Sequence, residues 1–205
     1  MIRIAIMIDG GYLRANVDSQ YRFNVDFIEE VALRMVEAEE ELLRVLFYDC
    51  DPYRGSIQLP VSGKMMKLEQ PGWLDALASK ELFAVRRGVV KFRGFKLKES
   101  HKKFAGLSEK DLKPDLLQKG VDMRLGIDIA NFSITKAVDR IILVSRDTDC
   151  VPAMKYCRIA GLQVYLAQFP GQLSLPELSH HADGYRKIPL SDITKKFKAK
   201  SRSTR

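Results

Sequence analysis

The chain has 205 residues, 46% of them hydrophobic, which is enough for one buried core and too few for two comfortable domains. Lysine and arginine outnumber the acidic residues by 34 to 26, and the net charge of +8 favours a polyanionic partner such as nucleic acid. The three cysteines lack zinc-site spacing and no apolar stretch approaches the roughly 20 residues of a membrane-spanning helix, so we expect a soluble, cytoplasmic protein with no membrane partner.

The basic charge is concentrated in two segments. Residues 86–103 carry eight basic side chains against one acid, and residues 193–205 carry six and no acid. A segment so rich in lysine and arginine supplies little apolar burial. We therefore predict one domain over residues 1–190, with a basic variable segment around residues 80–113, and a basic, disordered tail at residues 191–205.

The first quarter of the chain predicts a strand, a helix and a second strand. Ile2 to Ile8 is a short apolar run that stops at Asp9-Gly10-Gly11, as a buried strand followed by a turn does. Asn24 can cap a helix whose apolar residues recur at helical spacing, and Leu42 to Tyr48 is a second apolar run. This succession indicates two parallel strands joined by a right-handed crossover, and hence an α/β fold.

The pattern loosens between Asp51 and about Lys113, where proline and glycine recur. Within this part, Trp73 to Ala78 predicts a short helix. Phe83 to Leu97 interleaves phenylalanine and valine with arginine and lysine, which indicates one or two exposed strands. We expect that stretch to form an edge that contacts nucleic acid.

The second half of the chain returns to alternating helices and strands. Pro114 is expected to start a long helix that runs to about Ala137, since proline is favoured in the first helical turn. Ile141 to Val144 predicts a third buried strand, Pro152 to Ala160 a helix closed by Gly161, and Gln163 to Leu166 a fourth strand. The sheet should therefore have at least four strands and be mainly parallel.

Aspartates follow two of the predicted buried strands. Asp9 ends the first, and Asp147 and Asp149 follow the third, so both groups belong to the carboxyl ends of parallel strands, where α/β sheets bind ligands. Asp122 is expected to point toward the same edge, because it shares the inward stripe of its helix with Leu125.

Converging carboxylates repel one another unless a cation neutralises them. Oxygen ligands select a hard ion, which predicts Mg²⁺ or Mn²⁺. Such ions activate water for attack on a phosphodiester. The chain has no G-x-S-x-G, G-x-x-x-x-G-K-[ST], G-x-G-x-x-G or H-E-x-x-H motif, which leaves serine hydrolases, P-loop and dinucleotide enzymes and zinc peptidases poorly supported. A metal-dependent phosphatase stays open as a weaker alternative, although its DxDx[TV] motif is missing after Asp9.

Three ordered motifs resemble those of NYN-domain proteins, which belong to the PIN-like nuclease superfamily. They are Ile8-Asp9-Gly10-Gly11-Tyr12-Leu13, Lys119-Gly120-Val121-Asp122 with Asp128, and Ser145-Arg146-Asp147-Thr148-Asp149. The resemblance implies a three-layer α/β/α, Rossmann-like fold and metal-dependent cleavage of RNA. It also implies that the catalytic and metal-binding set is Asp9, Asp122, Asp147 and Asp149.

The chain departs from the family pattern at two positions. The family commonly has a small residue where Arg146 stands and an aromatic residue where Cys150 stands. Arg146 can contact phosphate, or it can weaken metal binding. A member that binds RNA or protein without cleaving it therefore stays open as an alternative.

The expected RNA contacts come from basic and polar residues near the motifs and in the basic segment. They are Lys119, Ser145, Arg146, Arg86, Arg87, Lys91 and Arg93. Phenylalanines interleaved with these cations could stack on bases. Asp128 projects about 120° away from Asp122 around a helix, which favours a salt bridge or a surface role for it. A homodimer is a further possible assembly.

Overall fold

The short apolar runs of the sequence become the central strands of one sheet. The computed structural model describes residues 1–18, 21–69, 72–99, 107–188, 190, 193 and 197. Its strands are β1 (Ile2–Asp9), β2 (Glu40–Cys50), β3 (Gly55–Gln58), β4 (Met65–Leu68), β5 (Phe83–Leu97), β6 (Leu112–Lys119), β7 (Arg140–Val144), β8 (Gln163–Gln168) and β9 (Gly184–Lys187). Its helices are α1 (Gly10–Ala15), α2 (Val25–Leu33), α3 (Leu74–Ala78), α4 (Val121–Thr135), α5 (Val151–Ile159) and α6 (Pro176–Ser179).

Seven strands form the main sheet, in the order β6-β5-β2-β1-β7-β8-β9, and β3 pairs with β4 separately. All neighbours in the main sheet are parallel except β5 and β6. The chain builds the sheet outward from β1 first on one side and then on the other. The order therefore reverses beside β1, and in open α/β sheets the crevice at such a point is where ligands bind.

Side chains of β1 alternate between two cores on opposite faces of the sheet, as the period of a strand requires. Ile4, Ile6 and Ile8 belong to the core that also holds residues of α2, such as Phe27. Ala5, Met7 and residues of α4 and α5 form the second core. The structure thus has helices on both faces of a mostly parallel sheet, which confirms the predicted α/β/α fold.

The predicted helix after Asn24 is confirmed as α2. The Asn24 side chain accepts a hydrogen bond from the Phe27 backbone N–H at 2.9 Å, so it satisfies a donor that has no partner within the helix. The short helix predicted from Trp73 and the helix closed by Gly161 are also present, as α3 and α5. Gly161 has a φ of +87°, which few residues other than glycine adopt.

The long helix expected to begin at Pro114 is wrong in its first third. Residues Leu112–Lys119 form β6, and α4 begins only at Val121, after Gly120 with a φ of +79°. A proline is tolerated in β6 because this strand lies at the edge of the sheet, where one missing N–H costs little. Lys119 is therefore the last residue of a strand and not part of a helix.

The basic stretch Phe83–Leu97 is one strand, β5, and it is not an edge as expected. Its first part pairs with β2 and its second part pairs with β6, with an irregularity between Phe92 and Phe95. Gly94 lies in this irregularity with a φ of +115°. β5 thus lies between β2 and β6, and each neighbour pairs with a different part of it.

Two residues of the expected tail contribute to the core. Ile193 and Phe197 are 1% and 7% exposed, although this segment was expected to supply no apolar burial. The Phe197 ring lies 5.6 Å from the Phe27 ring, measured between centroids, and its carbonyl accepts the Arg22 backbone N–H. All the other tail residues, and residues 100–106 of the basic segment, lie outside the described residues. In the described part of the chain, no helix combines the length and apolar character needed to cross a membrane.

Candidate metal centre

Asp9 lies at the carboxyl end of β1 and also caps α1. Its carboxylate accepts the Tyr12 backbone N–H at 3.0 Å, which fixes the side chain at the start of the helix. The next position, Gly10, requires glycine because a Cβ there would lie 2.6 Å from the Phe47 ring. The glycine thus allows α1 to turn back against β2. Asp9 therefore has the turn role that its sequence context predicts, and it faces the crevice as well.

Asp147 is held by hydrogen bonds in the loop after β7. Its carboxylate accepts the Asp149 backbone N–H at 2.9 Å, and its own N–H donates to the Ser145 hydroxyl at 3.1 Å. Residues 148–150 form one 3₁₀ turn that leads into α5. The side chain of Asp149 is exposed and does not cap α5, whose N-cap residue is Cys150. The carboxylate of Asp149 is therefore available to a ligand.

Asp122 is the second residue of α4, at the rim of the crevice. It was expected on the inward stripe, but it is exposed, while Leu125 and Ile129 are buried. The stripe passes beside it because positions 122 and 125 differ by about 60° around the helix. The first turn of a helix favours negative charge, so this position suits a carboxylate.

Asp122 interacts electrostatically with each of the other three aspartates. Burial raises the pKa of Asp9, and the charge of Asp122 raises it further, while N–H groups of Tyr12 and Gly11 lower it. Burial also raises the pKa of Asp122, and so do the charges of Asp147 and Asp149. The carboxylate of Asp122 on α4 thus lies near enough to be repelled by Asp9 at the end of β1 and by Asp147 and Asp149 in the loop after β7. A cation among them would relieve that repulsion.

The donor set fits a hard divalent cation in its chemistry, since every candidate ligand is a carboxylate oxygen. Within the described residues, however, no three His, Cys, Asp or Glu side chains converge closely enough to form a ready metal-binding group. Asp122 and Asp149 are exposed, so their side chains are free of the packing that would prevent rotation. The site therefore has fixed carboxylates at Asp9 and Asp147 and adjustable ones at its rim.

Asp49 is a fifth carboxylate at this edge, and the sequence interpretation missed it. It lies at the end of β2, is 2% exposed, accepts the Cys50 backbone N–H at 2.7 Å and pairs with the Arg14 guanidinium. Its charge contributes to the raised pKa of Asp9. The available signal was its place directly after the second apolar run, at the same sheet edge as Asp9.

Two of the basic residues expected to contact RNA bind acids within the protein. The Arg86 guanidinium donates to Asp128 at 2.7 and 3.3 Å, and the Tyr48 hydroxyl donates to the same carboxylate at 3.0 Å. Arg87 pairs with acidic residues of the β2–β3 loop and α3. Asp128 therefore has the salt-bridge role that its position favoured, and it ties α4 to β2 and β5.

The other candidate contacts lie closer to solvent. Lys91 and Arg93 are exposed on one face of β5, and Lys119 is exposed where β6 leads into α4. Arg146 is exposed, and in the sequence it lies between the buried Ser145 and Asp147. Arg146 therefore presents a positive charge directly beside Asp147 in the sequence.

Two of the comparisons with known proteins found matches that cover nearly the whole chain. The model of a family described as the NYN domain matches residues 3–189. A search of curated proteins finds no match. A crystal structure of a protein of unknown function from Vibrio parahaemolyticus is similar, with a TM-score of 0.51 and 18% identity over 91% of this chain and 93% of that one. At this identity the likeness supports the fold alone.

Proposed function

The chain belongs to the NYN domain family, within the PIN-like nuclease superfamily, and we propose that it is a metal-dependent ribonuclease that hydrolyses RNA phosphodiester bonds. The observation that carries the proposal is the grouping of Asp9, Asp122, Asp147 and Asp149 where the strand order reverses beside β1. Three separate parts of the chain supply these mutually repelling carboxylates. A fold gains no stability from such repulsion, so a ligand is the natural reason for it.

The roles of the residues follow from how each is held. Asp9 and Asp147, fixed by backbone N–H groups, would hold Mg²⁺ or Mn²⁺, with Asp122 and Asp149 completing the set from the rim. The bound ion supplies charge neutralisation and an activated water for in-line attack on phosphorus. Lys119 and Arg146, which are both exposed, would attract the RNA phosphates.

The deciding experiment compares cleavage of end-labelled RNA by the wild type and by Asp147→Asn, in Mg²⁺, in Mn²⁺ and in EDTA. The asparagine keeps a side-chain oxygen for the Asp149 N–H but loses the negative charge. We expect cleavage to fall at least about a hundredfold with the fold intact, since metal-ligand charge is central to such chemistry.

A matched control is Asp139→Asn, at the amino end of β7, where Asp139 forms a half-exposed salt bridge with Arg3. This variant removes the same charge at the opposite end of the same strand and should cleave like the wild type. Undiminished metal-dependent cleavage by Asp147→Asn would overturn the proposed site.

The second candidate is an RNA-binding member of the family that does not cleave. The observation that favours it is the cation Arg146 within the aspartate loop, together with the lack of a converged metal-binding group among the described residues. It predicts salt-dependent RNA binding and no cleavage in Mn²⁺. Cleavage that returns or increases in Arg146→Gly would identify that arginine as the cause.

A further inference from the structure

A cleft of about 600 Å³ opens beside the aspartates, and the role proposed for them does not use it. It lies between β4 and the β5–β6 ribbon, and its inner end reaches Arg14 and Asp49. We call it the side cleft. Its volume falls in the range of about 300–1,000 Å³ that is typical of small-ligand sites.

The side cleft approaches the aspartate site at Asp49, which lines the cleft and whose charge acts on Asp9. A Cβ on Gly10 would lie 2.8 Å from an Asp49 carboxylate oxygen, and Gly10 directly follows Asp9. Arg14 belongs to α1, the helix that Asp9 caps. A chain molecule whose phosphate lies at the aspartates can therefore extend its neighbouring group into the cleft.

The walls of the cleft offer flat and apolar surface. Tyr53 and Trp73 line it, together with Leu68, Val90 and Leu116. Both rings are held in place: the Tyr53 ring lies 6.1 Å from the Phe92 ring, and the Trp73 ring lies 5.7 Å from the Phe47 ring. Leu116 is 41% exposed, so apolar surface in the cleft remains open to a ligand.

The charges of the cleft are compensated within the protein. Arg14 pairs with Asp49, and the Lys67 ammonium lies 2.6 Å from the Glu69 carboxylate. A free phosphate would meet both signs of charge there and gain little. A flat, neutral group with a hydrogen-bonding edge fits better, because Gln118 and Glu69 offer acceptors beside the apolar walls.

We propose that the side cleft binds one unpaired nucleobase of the RNA strand that lies across the aspartates. The proposal rests on the proposed function for the identity of the strand. In a duplex, each base is stacked on both faces and paired along its edge, so only an unpaired or extruded base can enter a cleft. Aromatic walls accept any base, since every base has a π-face.

The test measures binding of a fluorescein-labelled oligoadenylate and of a blunt-ended RNA duplex by fluorescence anisotropy in EDTA, where metal-dependent cleavage cannot occur. Tyr53→Ala removes one aromatic wall, and its matched control is Tyr156→Ala, on α5 away from the cleft and 47% exposed. We expect Tyr53→Ala to weaken binding of the single strand about tenfold and to leave duplex binding unchanged. Tyr156→Ala should change neither.

A second pair of variants covers the case in which Tyr53→Ala does not fold. Leu116→Glu places a charge in the cleft at an exposed position, and Ile134→Glu places the same charge at the far end of α4, where Ile134 is 68% exposed. Selective loss of single-strand binding in Leu116→Glu alone supports the side cleft.

Equal effects within either pair, or equal loss for duplex and single strand, overturn it. Binding is measured without turnover, so the two proposals can fail separately. If the wild type does not cleave RNA but the cleft variants still lose single-strand binding selectively, only the ribonuclease proposal is refuted. If the wild type cleaves RNA but the cleft variants bind the single strand normally, only the proposal for the side cleft is refuted.

Discussion

Gly10 shows how closely the aspartate site depends on packing at single residues. A Cβ on Gly10 would lie 2.6 and 2.7 Å from two Phe47 ring atoms. Phe47 is fully buried and its ring packs against Trp73, so it cannot move aside without disturbing the core. The sequence predicts a turn at this glycine, and the structure adds close packing against Phe47 as the reason for it.

We therefore predict that Gly10→Ala destabilises the protein by about 1–3 kcal/mol, the usual cost of overpacking a core. Gly11→Ala is the matched control, because a Cβ there would lie 3.3 Å from one Asp9 carboxylate oxygen and meet nothing else nearby. Alanine also favours the helix at this position. Urea unfolding of the two variants measures the difference. Equal stabilities would contradict the packing argument.

At the scale of elements, the sheet carries one cluster of charged side chains at the carboxyl ends of its strands and another at their amino ends. The carboxyl end carries the aspartates. At the amino end, the buried Glu40 of β2 accepts hydrogen bonds from Arg140 of β7 and from Arg186 of β9, the latter at 2.7 and 2.8 Å. This buried cluster joins three strands that are not neighbours in sequence, so it fixes the frame that holds the other end.

The pKa of Glu40 gives this cluster a defined pH dependence. Burial raises the pKa, but the hydrogen bonds from Arg186 and the Glu37 N–H outweigh it, so the pKa lies below its usual value of 4.5. A lowered folded-state pKa means that the stability is present above pH 4.5 and is lost as the pH falls below it toward the folded-state pKa.

We predict that Glu40→Gln lowers the free energy of unfolding by about 3–5 kcal/mol at neutral pH, because it removes the partner charge of the buried Arg140 and leaves the buried Arg186 with Glu37 alone. The difference from the wild type should shrink as the pH falls below 4.5. Thermal or urea unfolding across this range measures it. A difference that stays constant with pH would show that the carboxylate charge is not what stabilises the cluster.

The hydrogen bonds that Tyr48 and Arg86 donate to Asp128 hold the helix that also carries Asp122. Asp128 lies on α4, while its two hydrogen-bond donors lie on β2 and β5. Since Asp128 and Asp122 share one helix, this contact fixes the distance of Asp122 from the sheet. A residue that matches the family motif can thus serve the site through position alone, without touching a ligand.

At the scale of the whole molecule, the parts that could be predicted are those whose pattern is local. The apolar run of β1 and the Asn24 cap of α2 are complete within a few residues, and the topology that they imply brings Asp9 toward Asp147. β6 escaped prediction because its strand state depends on pairing with β5, whereas Pro114 also suits a helix start. Asp49 escaped because its partner Arg14 is 35 residues away.

The tail joins the core and the basic surface in one segment, and the two can be separated by truncation. Ile193 and Phe197 are buried in the core that contains α2. Beyond them, residues 198–205 carry four basic side chains and no acid. The apolar part of this segment should therefore affect stability, and the basic part should affect affinity for a polyanion.

We predict that a chain ending at residue 197 unfolds like the wild type but binds single-stranded RNA with a weaker dependence on salt, since each phosphate contact contributes about 0.7 to the slope. A chain ending at residue 190 should in addition lose about 3–5 kcal/mol of stability, as loss of a buried phenylalanine typically costs. Urea unfolding and salt titrations of RNA binding separate the two effects. If the chain ending at residue 190 were as stable as the chain ending at residue 197, the contact of Phe197 with Phe27 would contribute nothing to the stability of the fold.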